Sequence, residues 1–283
     1  MRYGVPYRGS KSKIADWVVD HLPDGKTLVD LFAGGCAVTH AAILAGKWEN
    51  FIINDLGDAP EVFENATNGK YANEKRWISR EDFYKLKDSD PYVSIVWSFG
   101  NNRRNYLYGK DIELIKKAIH YALVFKDESL INQLKETDKN ERLLSQERIE
   151  SLQRLQRLQS LQRLQRLQSL QRLQRLQLDY RNVEIPQGAV VYADPPYKNT
   201  DCTGYAGKFD YDAFEKWLAD VPFMVIVSEY NTPKGCTEIA SIKKQQTMGT
   251  GNKGGTNTEK LFVQDRFYER YKYIMNYQFE MQA

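Results

Sequence analysis

The strongest constraint on how this chain folds is an apolar run that halts at an acid and two prolines. Ala189-Val190-Val191-Tyr192-Ala193 runs straight into Asp194-Pro195-Pro196-Tyr197. A short β-branched, apolar run of this kind predicts a buried strand. In open α/β sheets, ligands gather at the carboxyl ends of such strands. Each proline fixes its own φ and donates no backbone hydrogen bond, so Asp194 and Tyr197 sit on a stiff corner that sets an acceptor beside an aromatic face. Asp-Pro turns also serve as plain punctuation in globular proteins. The weight of this corner therefore depends on the rest of the chain.

A matching unit stands near the amino end. Leu28-Val29-Asp30-Leu31-Phe32-Ala33-Gly34-Gly35-Cys36 begins as a strand, passes two glycines and resumes as the helical pattern of Ala41, Ala42, Leu44 and Ala45. Strand, tight turn and helix together open a parallel sheet. Adjacent glycines let the backbone approach a ligand closely. A second strand, Phe51-Ile52-Ile53-Asn54, ends on Asp55, roughly twenty residues after the glycines, where an acid binds ribose hydroxyls in dinucleotide folds. The glycines do not spell GxGxxG, which disfavours an NAD enzyme and suits an adenosine ligand without a pyrophosphate.

At 283 residues and 42% apolar composition, the chain has ample material for a sizeable core. No apolar stretch approaches the ~20 residues of a membrane helix, and the amino terminus lacks the apolar centre of a signal peptide. The chain thus reads as soluble and cytoplasmic, with no membrane association. Cys36, Cys202 and Cys236 are odd in number, widely spaced and without paired histidines, arguing against a disulfide framework and against a zinc site or other bound metal.

Residues 151–177 repeat Ser-Leu-Gln-Arg-Leu-Gln-Arg-Leu-Gln three times. The segment holds six arginines and no acid, so without it the formal charge of +3 becomes −3. Global charge therefore gives no support for a polyanion partner. Leu, Gln and Arg favour helix, and the repeat predicts a projecting helix ~40 Å long whose leucine stripe slips ~60° per leucine and winds around the rod. It is expected to be either a low-complexity expansion without a role, or a surface for phosphates or self-association. Ahead of it, Trp97-Ser98-Phe99-Gly100-Asn101-Asn102-Arg103-Arg104-Asn105-Tyr106-Leu107-Tyr108-Gly109 mixes aromatics, amides and arginines. Asn reads adenine, Arg reads guanine and aromatics wedge or stack, so Asn101, Asn102, Arg103 and Arg104 are candidate DNA contacts.

The glycine turn, the ribose acid and Asp-Pro-Pro-Tyr, in that order and with a long insert between the last two, resemble the Dam-type N6-adenine DNA methyltransferases of the alpha motif order. Tyr7-Arg8-Gly9-Ser10-Lys11 is similar to the family's aromatic-x-Gly-Gly-Lys element, with Ser10 in place of the second glycine. The resemblance covers residues 2 to about 55 and 190 to about 233. It implies that Tyr7 and Lys11 touch S-adenosylmethionine, that Phe32, Ala33 and Gly34 line its turn, and that Asp55 holds the ribose. Asp194 would lie where cofactor and target base meet. Glu229-Tyr230 departs from the family's Ser-Asn-x-Asp.

The expected architecture is α/β: a Rossmann-like, S-adenosylmethionine-dependent methyltransferase domain from residues 1–56 and 184–283. A largely helical target-recognition insert, residues 57–183, carries the repeat helix 151–177. The expected reaction is site-specific methylation of adenine N6 in double-stranded DNA by base flipping, of the restriction-modification kind. Asp194, Pro195, Pro196 and Tyr197 would be catalytic, in a bacterium or in a virus acting in the bacterial cytoplasm. Two alternatives stay open: methylation of another planar amine (cytosine N4, an RNA adenine, a protein amide), or a catalytically idle DNA-binding protein that keeps the fold.

Overall fold

The computed structural model describes residues 3–7, 9–134, 144, 147, 172–197, 209–245 and 256–282. The chain divides into two compact units. Met1–Gly4, Ser10–Pro60 and Leu170–Ala283 form the first, Val5–Gly9 and Glu61–Ser169 the second.

Among the described residues of the first unit, seven strands make one sheet: β1 (Thr27–Asp30), β2 (Asn50–Asn54), β3 (Arg172–Leu176), β4 (Val190–Ala193), β5 (Val225–Glu229), β6 (Cys236–Gln245) and β7 (Thr256–Gln264). Their order is β3-β2-β1-β4-β5-β7-β6. The first five run parallel, whereas β7 is antiparallel to both β5 and β6. Chain order reverses between β1 and β4, the switch point at which a parallel sheet opens a crevice for ligands. Leu28 lies opposite Val190 and Asp30 opposite Tyr192, which brings the glycine turn and the proline corner out at the same end of neighbouring strands. This is the expected Rossmann-like α/β architecture, with the parallel sheet that the strand-turn-helix unit opened.

Helices α1 (Ala15–Asp20) and α2 (Ala37–Ala45) precede α3 (Ala59–Thr67). The second unit then supplies α4 (Arg80–Leu86), α5 (Pro91–Val96), α6 (Lys110–Phe125) and α7 (Ser129–Leu134), and α8 (Tyr211–Asp220) and α9 (Tyr268–Gln282) return to the first. Side-chain caps set several starts. Asp210 accepts from the Ala213 N–H and opens α8; Asp90 accepts from the Val93 N–H and, with Pro91 behind it, opens α5. Against one face of the sheet, Phe214 and Leu218 of α8 pack on Val29, Val191, Val225 and Phe262, all essentially sealed from solvent. Phe32, Phe209 and Trp217 border that core, and Tyr180 sits within it in edge and tilted ring contacts. The second unit has a separate aromatic centre, where Trp77 lies 5.7 Å from Tyr108 in parallel stacking and meets Trp97 and His120 edge-on.

One expectation is corrected here. The helix anticipated over 151–177 does not reach the end of the repeat, because Arg172–Leu176 is β3, paired in parallel with β2 from Asn50 opposite Arg172 to Asn54 opposite Leu176. The rest of the repeat lies outside the described residues. A three-residue apolar period matches neither the helix nor the strand, so it casts no vote. The open edge of β2 decides, since its unpaired N–H and C=O groups accept a strand despite the helical propensity of Leu, Gln and Arg. The insert therefore ends sooner than residue 183, and Leu170 onward belongs to the first unit.

Two buried polar side chains fix the switch point. Asn54, 1% exposed, donates to the carbonyls of Leu31 and Leu178 at 3.1 and 3.0 Å and accepts from the Leu178 N–H at 3.0 Å. It clips β2 to the turn after β1 and to the chain leaving β3. Replacing Asn54 by Ala strands those backbone groups and is expected to cost about 2–4 kcal/mol in urea unfolding, with loss below about 1 kcal/mol contradicting the clip.

Asp30 ends β1 and is 2% exposed. Its Oδ2 accepts from Thr39 at 2.7 Å, whereas its Oδ1 has no hydrogen-bond partner among the described residues. Burial pushes its pKa from 3.8 up to about 7, with the Thr39 bond opposing and Asp194 and Asp55 adding. The native state thus holds a proton between those values that the unfolded chain releases, and stability falls as pH rises through that window. Asp30→Asn is expected to remove this decline. The stability difference between variant and wild type should grow from pH 4 to pH 7 by up to about 4 kcal/mol; a constant difference across that range would refute the assignment.

Candidate active site

Asp55 and the glycine turn lock together through main-chain donors. The Gly34 N–H donates to Asp55 Oδ2 at 2.9 Å and the Gly57 N–H to Oδ1 at 2.7 Å. The turn is left-handed at Gly34 (φ 47) and Cys36 (φ 57) before α2 begins, a path that favours glycine at Gly34. The Ala33 N–H donates to the Asn54 carbonyl at 2.9 Å, completing the contact between the ends of β1 and β2. The amino-terminal segment lies directly on this turn, since a Cβ built on Gly4 would come within 2.2 Å of the Gly35 carbonyl. His40 of α2 accepts the Gly4 N–H at 2.9 Å, and burial lowers its pKa to about 4, so it stays a neutral acceptor.

These residues suit an adenosine-bearing cofactor. Asp55 is half-buried beside the turn, and a carboxylate offers about four lone-pair positions, so accepting from two amides is compatible with also accepting from a vicinal diol. Phe32 is half-buried and packs edge-on to Phe209 and Phe214; Ala33 is buried. Tyr7 is half-buried and groups with the second unit.

At the end of β4, the proline corner meets the amino-terminal lysine. Lys11 Nζ lies 2.7 Å from Asp194 Oδ1, 3.9 Å from Glu259 Oε2 and 4.4 Å from the centroid of the Tyr197 ring. Lys11 is 5% exposed, Glu259 1% and Asp194 18%, so Asp194 is the member that reaches the crevice. Burial works against the ammonium, but the charges of Asp194 and Glu259 outweigh it and hold the Lys11 pKa above the ordinary lysine value. Burial also pushes Asp194 upward, with Lys11 opposing and Glu259 adding. Tyr197 donates its hydroxyl to Glu259 Oε2 at 2.7 Å and lies 2.9 Å from Ser228 Oγ, while its ring meets Tyr230 at 4.4 Å.

Several sequence expectations meet here and others do not. Lys11 and Asp194, 183 residues apart, are in contact, and Asp55 and Gly34 are bonded. Glu259 and Ser228 were missed. The available signal was an acid entering the apolar strand Leu261-Phe262-Val263, all fully buried, because an acid in such a strand requires a partner. The hydroxyl of Tyr197 was missed too, the ring alone having been assigned a use.

In the second unit, Asn101 and Asn102 brace their own loop. Asn101 donates to the Ile95 carbonyl at 2.9 Å, and Asn102 Oδ1 accepts from the N–H groups of Arg104 and Asn105 at 2.9 and 3.0 Å. The Arg103 N–H donates to Ser98 Oγ at 3.0 Å. A single bridge between Ser98 and Tyr106 closes the loop, with Gly100, Asn101 and Arg103 at positive φ. Phe99, 64% exposed, stands at its start, and Arg104 is exposed.

No helix among the described residues is long and apolar enough to cross a membrane. Comparison with known proteins agrees with the site. Residues 7–236 match the model of the D12 class N6 adenine-specific DNA methyltransferases. A stretch of 53 residues is 42% identical to the Type II methyltransferase M2.HphI of Haemophilus parahaemolyticus, covering 18% of this chain and 15% of that relative's length. The matched span takes in Lys11, the glycine turn, Asp55, the whole second unit from residue 61 and Asp194 through Tyr197, and on that evidence the chain belongs to the D12 class N6 adenine-specific DNA methyltransferase family.

Proposed function

We propose that this chain transfers a methyl group from S-adenosylmethionine to the exocyclic N6 of an adenine within a specific sequence of double-stranded DNA, with the base turned out of the duplex. The observation that carries the reading is the placement of Asp194 at the switch point, held by Lys11 at 2.7 Å while still partly exposed. It would act in the bacterial cytoplasm, whether encoded by host or virus.

The chemical difficulty lies in the nucleophile, because the N6 lone pair is delocalised into the purine. The Asp194 carboxylate accepts one N–H of the amine and the backbone carbonyl of Pro195 the other, drawing the nitrogen toward tetrahedral geometry and aiming its lone pair. Fixed φ at both prolines orients that carbonyl without a competing N–H. Lys11 pins Asp194 in one rotamer. When bound, S-adenosylmethionine supplies a sulfonium methyl, whose bonding electron pair stays with sulfur as the N6–carbon bond forms. N6 then sheds one proton to Asp194, and from there to water.

Asp55 and the Gly34 turn hold the adenosine portion of the cofactor, with Phe32 beside it. Tyr197 stacks on the extruded adenine; such stacking is worth about 1–3 kcal/mol per base, which offsets part of the unstacking cost of a few kcal/mol. Arg103 and Arg104, carried on the loop that Asn101 and Asn102 brace, contact the DNA. Arg104 is the exposed member.

The direct test is to incubate mixed-sequence duplex DNA with the chain and S-adenosylmethionine, then map modified bases by methylation-sensitive sequencing. N6-methyladenine at one recurring motif is expected; N4-methylcytosine, or no modification, would overturn the reading. Asp194→Asn should lower kcat/KM at least 100-fold while leaving thermal unfolding within a few degrees, and near-wild-type turnover by this variant would remove Asp194 from the mechanism. Asp55→Ala should weaken cofactor binding at least tenfold by calorimetric titration, with unchanged affinity excluding it from the ribose site.

A further inference from the structure

Glu259 is an expensive residue for its position. It lies 1% exposed on β7, ahead of Leu261, Phe262 and Val263, where an apolar side chain would avoid the cost of burying a carboxylate. Its Oε2 accepts the Tyr197 hydroxyl at 2.7 Å and lies 3.9 Å from Lys11 Nζ. A neutral amide would satisfy the tyrosine equally well, so the property that glutamate adds is its charge.

We propose that Glu259 is a positioning residue for methyl transfer: its carboxylate fixes Tyr197 and holds Lys11 against Asp194, and its charge makes the pocket favour a cationic methyl donor over the neutral sulfide left after transfer. The proposal rests on the functional reading above. In the reaction so read, the donor carries a sulfonium and its demethylated product does not. Removing one buried negative charge near the reacting atoms must therefore weaken the donor more than the product. For two charges on the order of 10 Å apart at an effective dielectric of ~20, Coulomb's law gives a difference of about tenfold in affinity. The same charge would also favour the positive charge that a bound sulfonium donor brings to this end of the crevice.

Other ionisable groups face this cluster. Tyr192 on β4 and Asp30 at the end of β1 lie near Asp194, and Tyr230, after β5, lies near Lys11. Tyr192 and Tyr197 are pushed further up by burial and stay neutral. Asp30 is largely protonated below about pH 7, so measurement at pH 6 isolates the contribution of Glu259.

The test is calorimetric titration of the full chain at pH 6 with S-adenosylmethionine and with S-adenosylhomocysteine, in wild type, Glu259→Gln and Tyr197→Phe. Glu259→Gln keeps an acceptor for the tyrosine and should lower the donor-to-product affinity ratio about tenfold. Tyr197→Phe breaks the hydroxyl contact but keeps the charge, and should leave the ratio unchanged. An unaltered ratio in Glu259→Gln, or an equal fall in Tyr197→Phe, overturns the proposal while the functional reading stands. A wild-type chain that binds neither compound overturns both. Should Glu259→Gln fail to fold, wild type alone decides: an analogue in which a carbon-borne ammonium replaces the sulfonium must bind about tenfold more tightly than S-adenosylhomocysteine, and equal affinity refutes the charge preference.

Discussion

The ion pair between Lys11 and Asp194 is the interaction on which the rest of the site depends. It joins a loop near the amino terminus to the end of β4 across 183 positions of sequence, and it does so where water is scarce. A buried pair of this kind gains little net stability, since desolvating both charges offsets much of their attraction. Its value is in specificity of arrangement. With Lys11 also lying over the Tyr197 ring at 4.4 Å, one ammonium fixes an acid, an aromatic and, through Glu259, the antiparallel strand β7. The site is therefore assembled from both ends of the chain, and a fault in either end is felt at Asp194.

The other half of the crevice is organised by side-chain hydrogen bonds of Asp55 and Asn54, and their division of labour follows from burial. Asn54 is sealed, and its side chain bonds to backbone groups of Leu31 and Leu178. Asp55, one residue on, is half-buried and uses main-chain donors to hold the glycine turn while remaining at the crevice. Neighbouring positions at the end of one strand thus differ in exposure, and only Asp55 keeps a carboxylate open toward the crevice.

Much of this was legible in the sequence, for physical reasons that differ by element. The strands β1, β2, β4 and β5 are apolar and bounded by acids, glycines or prolines, so burial and termination are both encoded locally. Asp55 and Asp194 were legible because they end such strands. Strand β3 was not, since Arg-Leu-Gln-Arg-Leu has helical propensity and pairs only because β2 offers an edge. Glu259 was not, because its meaning depends on Lys11 and Tyr197, 248 and 62 positions away. The local bonds of Asn101 and Asn102 were not legible either, because they follow from the left-handed turns of their loop, which composition does not report. Local pattern reports burial and chain reversal; it does not report which distant group a polar side chain will meet.

The edge strand made from a repeat has an evolutionary consequence. Arg-Leu-Gln-Arg-Leu occurs at 154–158, 163–167 and 172–176, and the last copy is the one hydrogen-bonded to β2. Parallel pairing at an edge is specified by backbone groups and by a few side chains, all of which are the same in every copy. Slippage during replication that adds or deletes nine codons leaves another identical pentapeptide immediately ahead of Gln-Leu-Asp-Tyr, ready to take the same place beside Asn50–Asn54. The gene can therefore gain or lose units in frame while the sheet is rebuilt unchanged, and the length variation is passed entirely to the connection that precedes the strand.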